Sequence, residues 1–323
     1  MKRWAALCVC VLLSLLLCAC GAERAVPLQC GELAFSAGEY AFLLHSEMKE
    51  AGDDATREEL LQRTDKSCRF YAALQMRMEQ EGLRLSAPHK SEAALRTRGL
   101  WQYFAAHYRA LGMNKSDLTQ IQTFEEEKKA LTEHLFGAGG AKEVKESKLK
   151  QWFNESYIGF RAFSETLTKT NAGGETAPLS EAEQAELLQT FEEMKKHADS
   201  GASMDSLSKE YNKSKGLLAT SGTEVTVIKQ GDPTVSDSFF AAVQNLKTDE
   251  TAVLRDGSRL TLVQRVDLLA DDTPYFAEER DAVLFEKKWP DVEKELKAQA
   301  ETLKTQTDER LCSEIYAQIK AAQ

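Results

Sequence analysis

The sequence predicts an α+β fold that is predominantly helical, with N- and C-terminal helical segments forming one lobe around a small inserted strand-containing module. Three observations predict it. Apolar residues recur at helical spacing behind three capping boxes, Ser36–Glu39, Thr56–Glu59 and Ser180–Glu183. Alternation with a period of two is confined to short stretches between Ile158 and Val266. From Tyr275 onward the helical spacing returns and holds nearly to the C-terminus.

The chain opens with Lys2 and Arg3 before an apolar run from Trp4 to Ala19, closing on Leu17-Cys18-Ala19-Cys20-Gly21. A basic start, an apolar centre and a small residue before the cut read as a secretory leader over residues 1–19. The run is shorter than the roughly 20 residues that a membrane span needs. Leu17 to Cys20 resemble the bacterial lipobox, in which the thiol at the cut is acylated and becomes the mature N-terminus. Cys20 fits that role, whereas Cys18 would follow Leu17, too large for the small-residue position. The expectation is an extracytoplasmic protein, lipid-anchored to a bacterial cell membrane through an N-terminal diacylglyceryl-cysteine. Most ATP-driven and NAD-driven chemistry is excluded there.

Loss of the leader takes Lys2 and Arg3 with it, leaving 39 basic against 51 acidic residues. About 300 residues remain, more than one core usually organises. An acidic surface argues against nucleic acid and against broad adsorption to anionic lipid. Three further cysteines follow, Cys30, Cys68 and Cys312, at a spacing that fits no metal site. Three separate buried thiols are preferred over a Cys68–Cys312 bridge, which stays open. No Gly-rich phosphate loop, paired-histidine metal motif or nucleophile elbow is present, so no cofactor and no metal are expected.

The elements follow in order. Residues 20–30 read as a lipidated tether, and Glu32 to Phe35 as one short strand. Ser36 caps a helix carrying Tyr40, Leu43, Leu44 and Met48 as far as Gly52. Thr56 caps a longer one whose stripe is Leu60, Leu61, Cys68, Tyr71, Leu74 and Met78. A helix over about Ser91 to Leu111 presents Leu95, Leu100, Trp101, Phe104 and Tyr108 inward, with Gly112 as its stop. The next spans about Ser116 to Phe136, where Glu125 to Lys129 read as a solvated face. A last helix from Val144 carries Leu149, Trp152 and Phe153. Residues 31–153 thus form a helical domain.

Residues 154–270 read as the module. Ile158 to Leu167 is a strand, Asn171 to Gly174 a flexible loop, and Ser180 to Ala198 a helix. A shorter helix covers Met204 to Tyr211, then Val225 to Ile228 is strand-like and Ser236 to Leu246 helical. Thr251 to Leu254 and Arg259 to Val266 close it as two strands. Residues 271–323 are helical again, with Pro290 starting a new helix after a break. Their sparse apolar stripe requires them to pack back on the N-terminal helices.

This arrangement resembles the parvulin-type foldases of the cell envelope, the PrsA-like and SurA-like proteins. The resemblance rests on the strand-and-helix opening from Gly31 to Tyr40 and on Trp152-Phe153-Asn154-Glu155-Ser156-Tyr157 leading into the first module strand. It continues in Gly201, Leu207 and Tyr211, in the F-x-x-A-x-x-x-L spacing of Phe239, Ala242 and Leu246, in Glu250, and in Gly257 to Arg265. It implies a helical lobe with an inserted parvulin-like β-α3-β2 module. It also implies a peptidyl-prolyl isomerase in the module and unfolded or secreted polypeptides as partners.

In that family the polar floor of the proline pocket is built from two histidines and an acidic or thiol residue. This chain departs from the pattern there. Its histidines are His45, His89, His107, His134 and His197, none on either strand that should carry the pair. Ala162 falls at the first such position and Arg259 at the last. Ser214 stands where Cys or Asp is common, Ser221-Gly222 replaces Gly-Gly, and Gln244 stands for an aromatic. The residues that the resemblance assigns are Ser214 and Arg259 as polar contacts to the amide. Phe239, Val235 and Leu246 are assigned as substrate-binding walls.

The expected function is a membrane-anchored foldase or chaperone for secreted proteins, with a weak or inactive isomerase module. An active but divergent isomerase is the alternative. From another class, a solute-binding lipoprotein of a transporter would need two lobes of repeated strand–helix units. An aromatic cleft of Trp101, Phe104 and Tyr108, or of Trp152 and Phe153, would suit an unfolded client.

Overall fold

A computed structural model describes residues 26–52, 54–170, 173–217, 223–270 and 273–321. The leader, Cys20, Asn171-Ala172 and Ser221-Gly222 lie outside the described residues. Among those described, no helix is long and apolar enough to cross a membrane. The fold is α+β and mostly helical. The chain divides into two units, one of residues 1–143 with 284–323, the other of residues 144–283.

In the first unit, strands β1 (Leu28–Cys30), β2 (Leu33–Phe35) and β9 (Thr305–Thr307) form a small antiparallel sheet with β1 central. Helices α1 (Ala37–Ala51), α2 (Arg57–Gln80), α3 (Ala87–Ala110) and α4 (Lys115–Phe136) complete it. They are joined by the later part of α9 (Tyr275–Thr302) and by α10 (Glu309–Ala321). Capping boxes start α1 at Ser36 and α2 at Thr56, as the sequence predicts. The end of the expected tether is therefore a strand. Three-residue strands are too short to carry a period, so neither β1 nor β9 was legible. Their pairing, Leu28↔Thr307 to Cys30↔Thr305, ties the first described residues to the C-terminal segment within this unit. No repeated strand–helix units of the solute-binding kind occur among the described residues here.

Several sequence expectations are corrected. Helix α3 buries Tyr108, as expected, but with it the small residues Ala93 and Thr97, while Leu95 and Phe104 are 57% and 52% exposed. Small side chains let α3 approach α4 closely, and that packing overrides the apolar stripe. The helix also bends at Phe104, where φ is −123° and ψ 16°. Pro290 starts no new helix; α9 runs through it. A mid-helix proline costs about 3 kcal/mol, and here tertiary packing on both sides of it offsets that. Trp289 stacks on Phe285 and meets Phe70 edge-on, while Val292 and Leu296 are buried.

The acidic run on α4 is not a solvated face either. Glu126 is buried and takes hydrogen bonds from Lys129 Nζ at 2.6 Å and from the His89 ring at 2.9 Å. Those donors hold its carboxyl below the usual range, against burial. Glu127 is also buried, with only the Gln75 amide donating to it, at 2.9 and 3.0 Å. Burial pushes its carboxyl up to about 7. Cys30, Cys68 and Cys312 are free and buried, as three separate thiols. Burial raises all three above the ordinary thiol range.

The second unit holds the module. Helix α5 (Glu146–Ser156) leads into β3 (Tyr157–Thr166), then the β4–β5 hairpin (Thr168–Thr170, Thr176–Pro178). Helices α6 (Glu181–Asp199) and α7 (Met204–Ser214) follow, then β6 (Thr226–Lys229), α8 (Asp237–Gln244), β7 (Thr251–Asp256) and β8 (Arg259–Val266). The sheet is antiparallel with order β6-β3-β8-β7. Phe153 of α5 stacks on Tyr157 and meets Phe276 of early α9, closing one end of the unit. Gly159 is required there: a Cβ would lie 2.2 Å from Leu268 Cδ2.

One prediction follows from Glu127. Its native affinity for a proton exceeds that of the unfolded chain, so its burial costs nothing at low pH. The penalty grows as pH rises from about 4.5 through about 7. Glu127→Gln keeps a partner for Gln75 and should raise unfolding stability by about 2–3 kcal/mol above pH 7. The gain should vanish below pH 4.5. Urea unfolding at both pH values checks it.

Candidate functional site

The site is built on the two faces of the β6-β3-β8-β7 sheet. Side chains alternate across a strand, and the two cores of this unit follow that rule. Ile158, Phe160 and Ala162 of β3, Val263 of β8, and Ala252 and Leu254 of β7 face α8, where Phe239, Phe240 and Val243 cover them. Phe163, Leu260, Leu262 and Val253 face the other way, under Phe191 and Met194 of α6 and Leu207 and Tyr211 of α7.

The antiparallel register of β3 on β8 then places the polar residues. Arg259 is opposite Thr166, Thr261 opposite Ser164, and Val263 opposite Ala162. Arg259 and Thr261 share the α8 face with Val263. The Ser164 and Thr261 hydroxyls hydrogen-bond at 2.8 Å, which occupies the middle of that face with a neutral pair. Asp256, opposite Arg259, accepts from the Ser236 amide near the start of α8, at 3.4 Å.

The structure brings Phe239, Val235 and Leu246 into one cluster on this face. Phe239 is buried and meets Phe160 edge-on, centroids 5.5 Å apart. Arg259 sits on the same face but is exposed. Ser214 is not gathered with them. It ends α7, the helix covering the opposite face, and its hydroxyl donates to the Tyr211 carbonyl at 2.7 Å.

The second unit itself contributes no imidazole to either face. His197, the only histidine in this unit's sequence, is exposed on α6, and the other four belong to the first unit. Among the described residues no group of three or more His, Cys, Asp and Glu side chains could hold a metal ion. Sequence reasoning missed Arg265, which alternation puts on the α8 face opposite Phe160. It is buried, its Nη1 has no hydrogen-bond partner, and burial lowers its ordinarily very high pKa. It stood in the matched final strand, but only the register shows that it points inward.

Two cavities lie elsewhere. One, in the first unit, has a volume of about 760 Å³ and an apolar floor of Leu28, Tyr40, Leu61 and Cys312. Its rim carries both charge signs, Arg57, Lys66 and Arg69 against Glu58, Asp65 and Glu309. The other, about 400 Å³, lies between polar residues of α5 and Gln244 and Leu269 of the second unit.

No known family profile matches the chain, and no curated protein does. Solved structures of the foldase PrsA are similar to it. The Lactococcus lactis protein is 12% identical, covering 91% of this chain and 98% of that one, with a TM-score of 0.39. The Streptococcus pneumoniae protein is 15% identical over 83% and 96%, with a TM-score of 0.35. For Bacillus subtilis PrsA the figures are 16%, 78% and 89%, with a TM-score of 0.30. TM-scores below 0.5 assign no residue a role.

Phe239 and Arg259 should separate on substitution. Phe239→Ala empties a packed site and should destabilise the second unit by about 3–5 kcal/mol. Arg259→Ala, on an exposed strand end, should change stability by less than about 0.5 kcal/mol. Chemical denaturation followed by fluorescence distinguishes the two.

Proposed function

We propose that this chain is a lipid-anchored, extracytoplasmic foldase-type chaperone that holds unfolded polypeptides, with a parvulin-like module lacking effective isomerase activity. The observation that carries the second part is that the second unit contributes no imidazole to either face of the module's sheet. Rotation about an X–Pro bond faces a barrier of about 18–20 kcal/mol. An isomerase lowers it by binding the twisted amide more tightly than the planar forms. Here the face beside Phe239 offers a Ser164–Thr261 pair whose hydroxyls bond each other, apolar side chains, and the exposed Arg259 at its edge.

The holding function is supported by surfaces of the first unit. Leu95, Tyr103 and Phe104 of α3 are 57%, 77% and 52% exposed, while the same helix buries Ala93, Thr97 and Tyr108. Large apolar side chains turned outward on one element suit contact with apolar segments. The cavity with the Tyr40 and Leu61 floor, about 760 Å³, adds a hollow that holds several peptide side chains, with a rim of both charge signs. The lipid anchor rests on the sequence around Cys20 alone.

An active but divergent isomerase would need Arg259 and Ser214 as amide donors. The Ser214 hydroxyl is engaged by its own helix, which favours the first reading. A paired assay tests both. Turnover of a proline peptide should fall at least about a hundredfold below that of an active parvulin, a loss of about 2.7 kcal/mol in transition-state binding. Aggregation of an unfolded client should still be suppressed, and the joint change Leu95→Ser, Tyr103→Ser and Phe104→Ser should weaken that suppression. Turnover at the level of an active parvulin, abolished by Arg259→Ala, would overturn the assignment.

A further inference from the structure

His45 of α1 is buried at 8% exposure, yet neither of its ring nitrogens has a hydrogen-bond partner. A buried polar group left in that state costs roughly 1–3 kcal/mol, so it calls for a reason. The ring faces His107 of α3, which is exposed, with centroids 5.2 Å apart and planes at 60°. Tyr108 lies beyond, its ring 5.7 Å from that of His107. The charged groups acting on His45 are Lys49, one turn along α1, and His107 itself.

The separation has a chemical meaning. An imidazole nitrogen binds zinc at about 2.0–2.1 Å, and the ring centre lies roughly 1.1 Å further back. Two rings on one tetrahedral ion therefore have centres about 5 Å apart. We propose that His45 and His107 form a two-imidazole site for a divalent transition-metal ion such as zinc. Water completes the coordination on the His107 side, so the ion is exchangeable. It would satisfy a His45 nitrogen that the protein leaves bare.

A neutral imidazole keeps one ring nitrogen with a free lone pair, the form that binds a metal ion. Lys49 opposes a cation, but it is exposed at the end of α1, where solvent and salt screen it. Sequence spacing could not reveal the pair, because its members lie on two different helices.

The test is calorimetric titration of the full mature chain, without a histidine tag, with Zn²⁺, alongside thermal melts with and without the ion. The expected result is one saturable equivalent that raises the melting temperature. His45→Phe keeps the ring volume and removes the bare nitrogens. It should fold at least as stably as the parent without zinc, and bind zinc at least about tenfold more weakly. His107→Ala, at an exposed position, should fold normally and lose zinc to the same extent. No saturable binding by the parent, or parent-like binding by either variant, overturns the proposal.

Discussion

The antiparallel register of β3 on β8 is the constraint on which the second unit depends. Eight residue pairs, from Gly159↔Val266 to Thr166↔Arg259, fix which side chains share a face. A slip of one residue would exchange the two cores, sending Phe160 toward α6 and Phe163 toward α8. Gly159 anchors one end, because only a residue without a side chain lets Leu268 close over it. From that register follows the meeting of Phe239 with Phe160, and the place of Arg259 on the same face.

The same register decides which polar groups the sheet of the module presents. A face that binds a twisted amide better than a planar one needs donors aimed outward at it. Ser164 and Thr261 are brought opposite one another and satisfy each other instead. Arg265, a stronger donor, is turned into the core, where burial disfavours its charge. The module thus retains the packing of a small α+β domain.

In the first unit the organising interactions are aromatic and carboxylate contacts between helices. Tyr71 stacks on Phe124 at 4.5 Å, and Lys128 lies over Phe70, Tyr71 and Trp289. Glu126 is held by Lys129 and His89, whereas among the described residues Glu127 takes its hydrogen bonds from the Gln75 amide. Helix α3 buries Ala93, Thr97 and Tyr108 and leaves Leu95, Tyr103 and Phe104 exposed.

The sequence by itself determined the helices with capping boxes, the order of the module's strands and helices, and the absence of histidine from its strands. These are local properties: a Ser or Thr with Glu three residues on, a period of 3.6 or 2, a residue type present or missing. The grouping of Phe239, Val235 and Leu246 came from the resemblance and not from helical spacing, because Val235 and Leu246 lie outside α8. Tertiary structure alone decided that Leu28–Cys30 and Thr305–Thr307 pair, that α9 continues through Pro290, and that Leu95 and Phe104 face solvent. It also decided that Glu126 and Glu127 are buried, and that His45 meets His107. Each of those depends on a partner far away in the chain. A local pattern records the preference of a segment, and the free energy of packing against distant residues is large enough to override it.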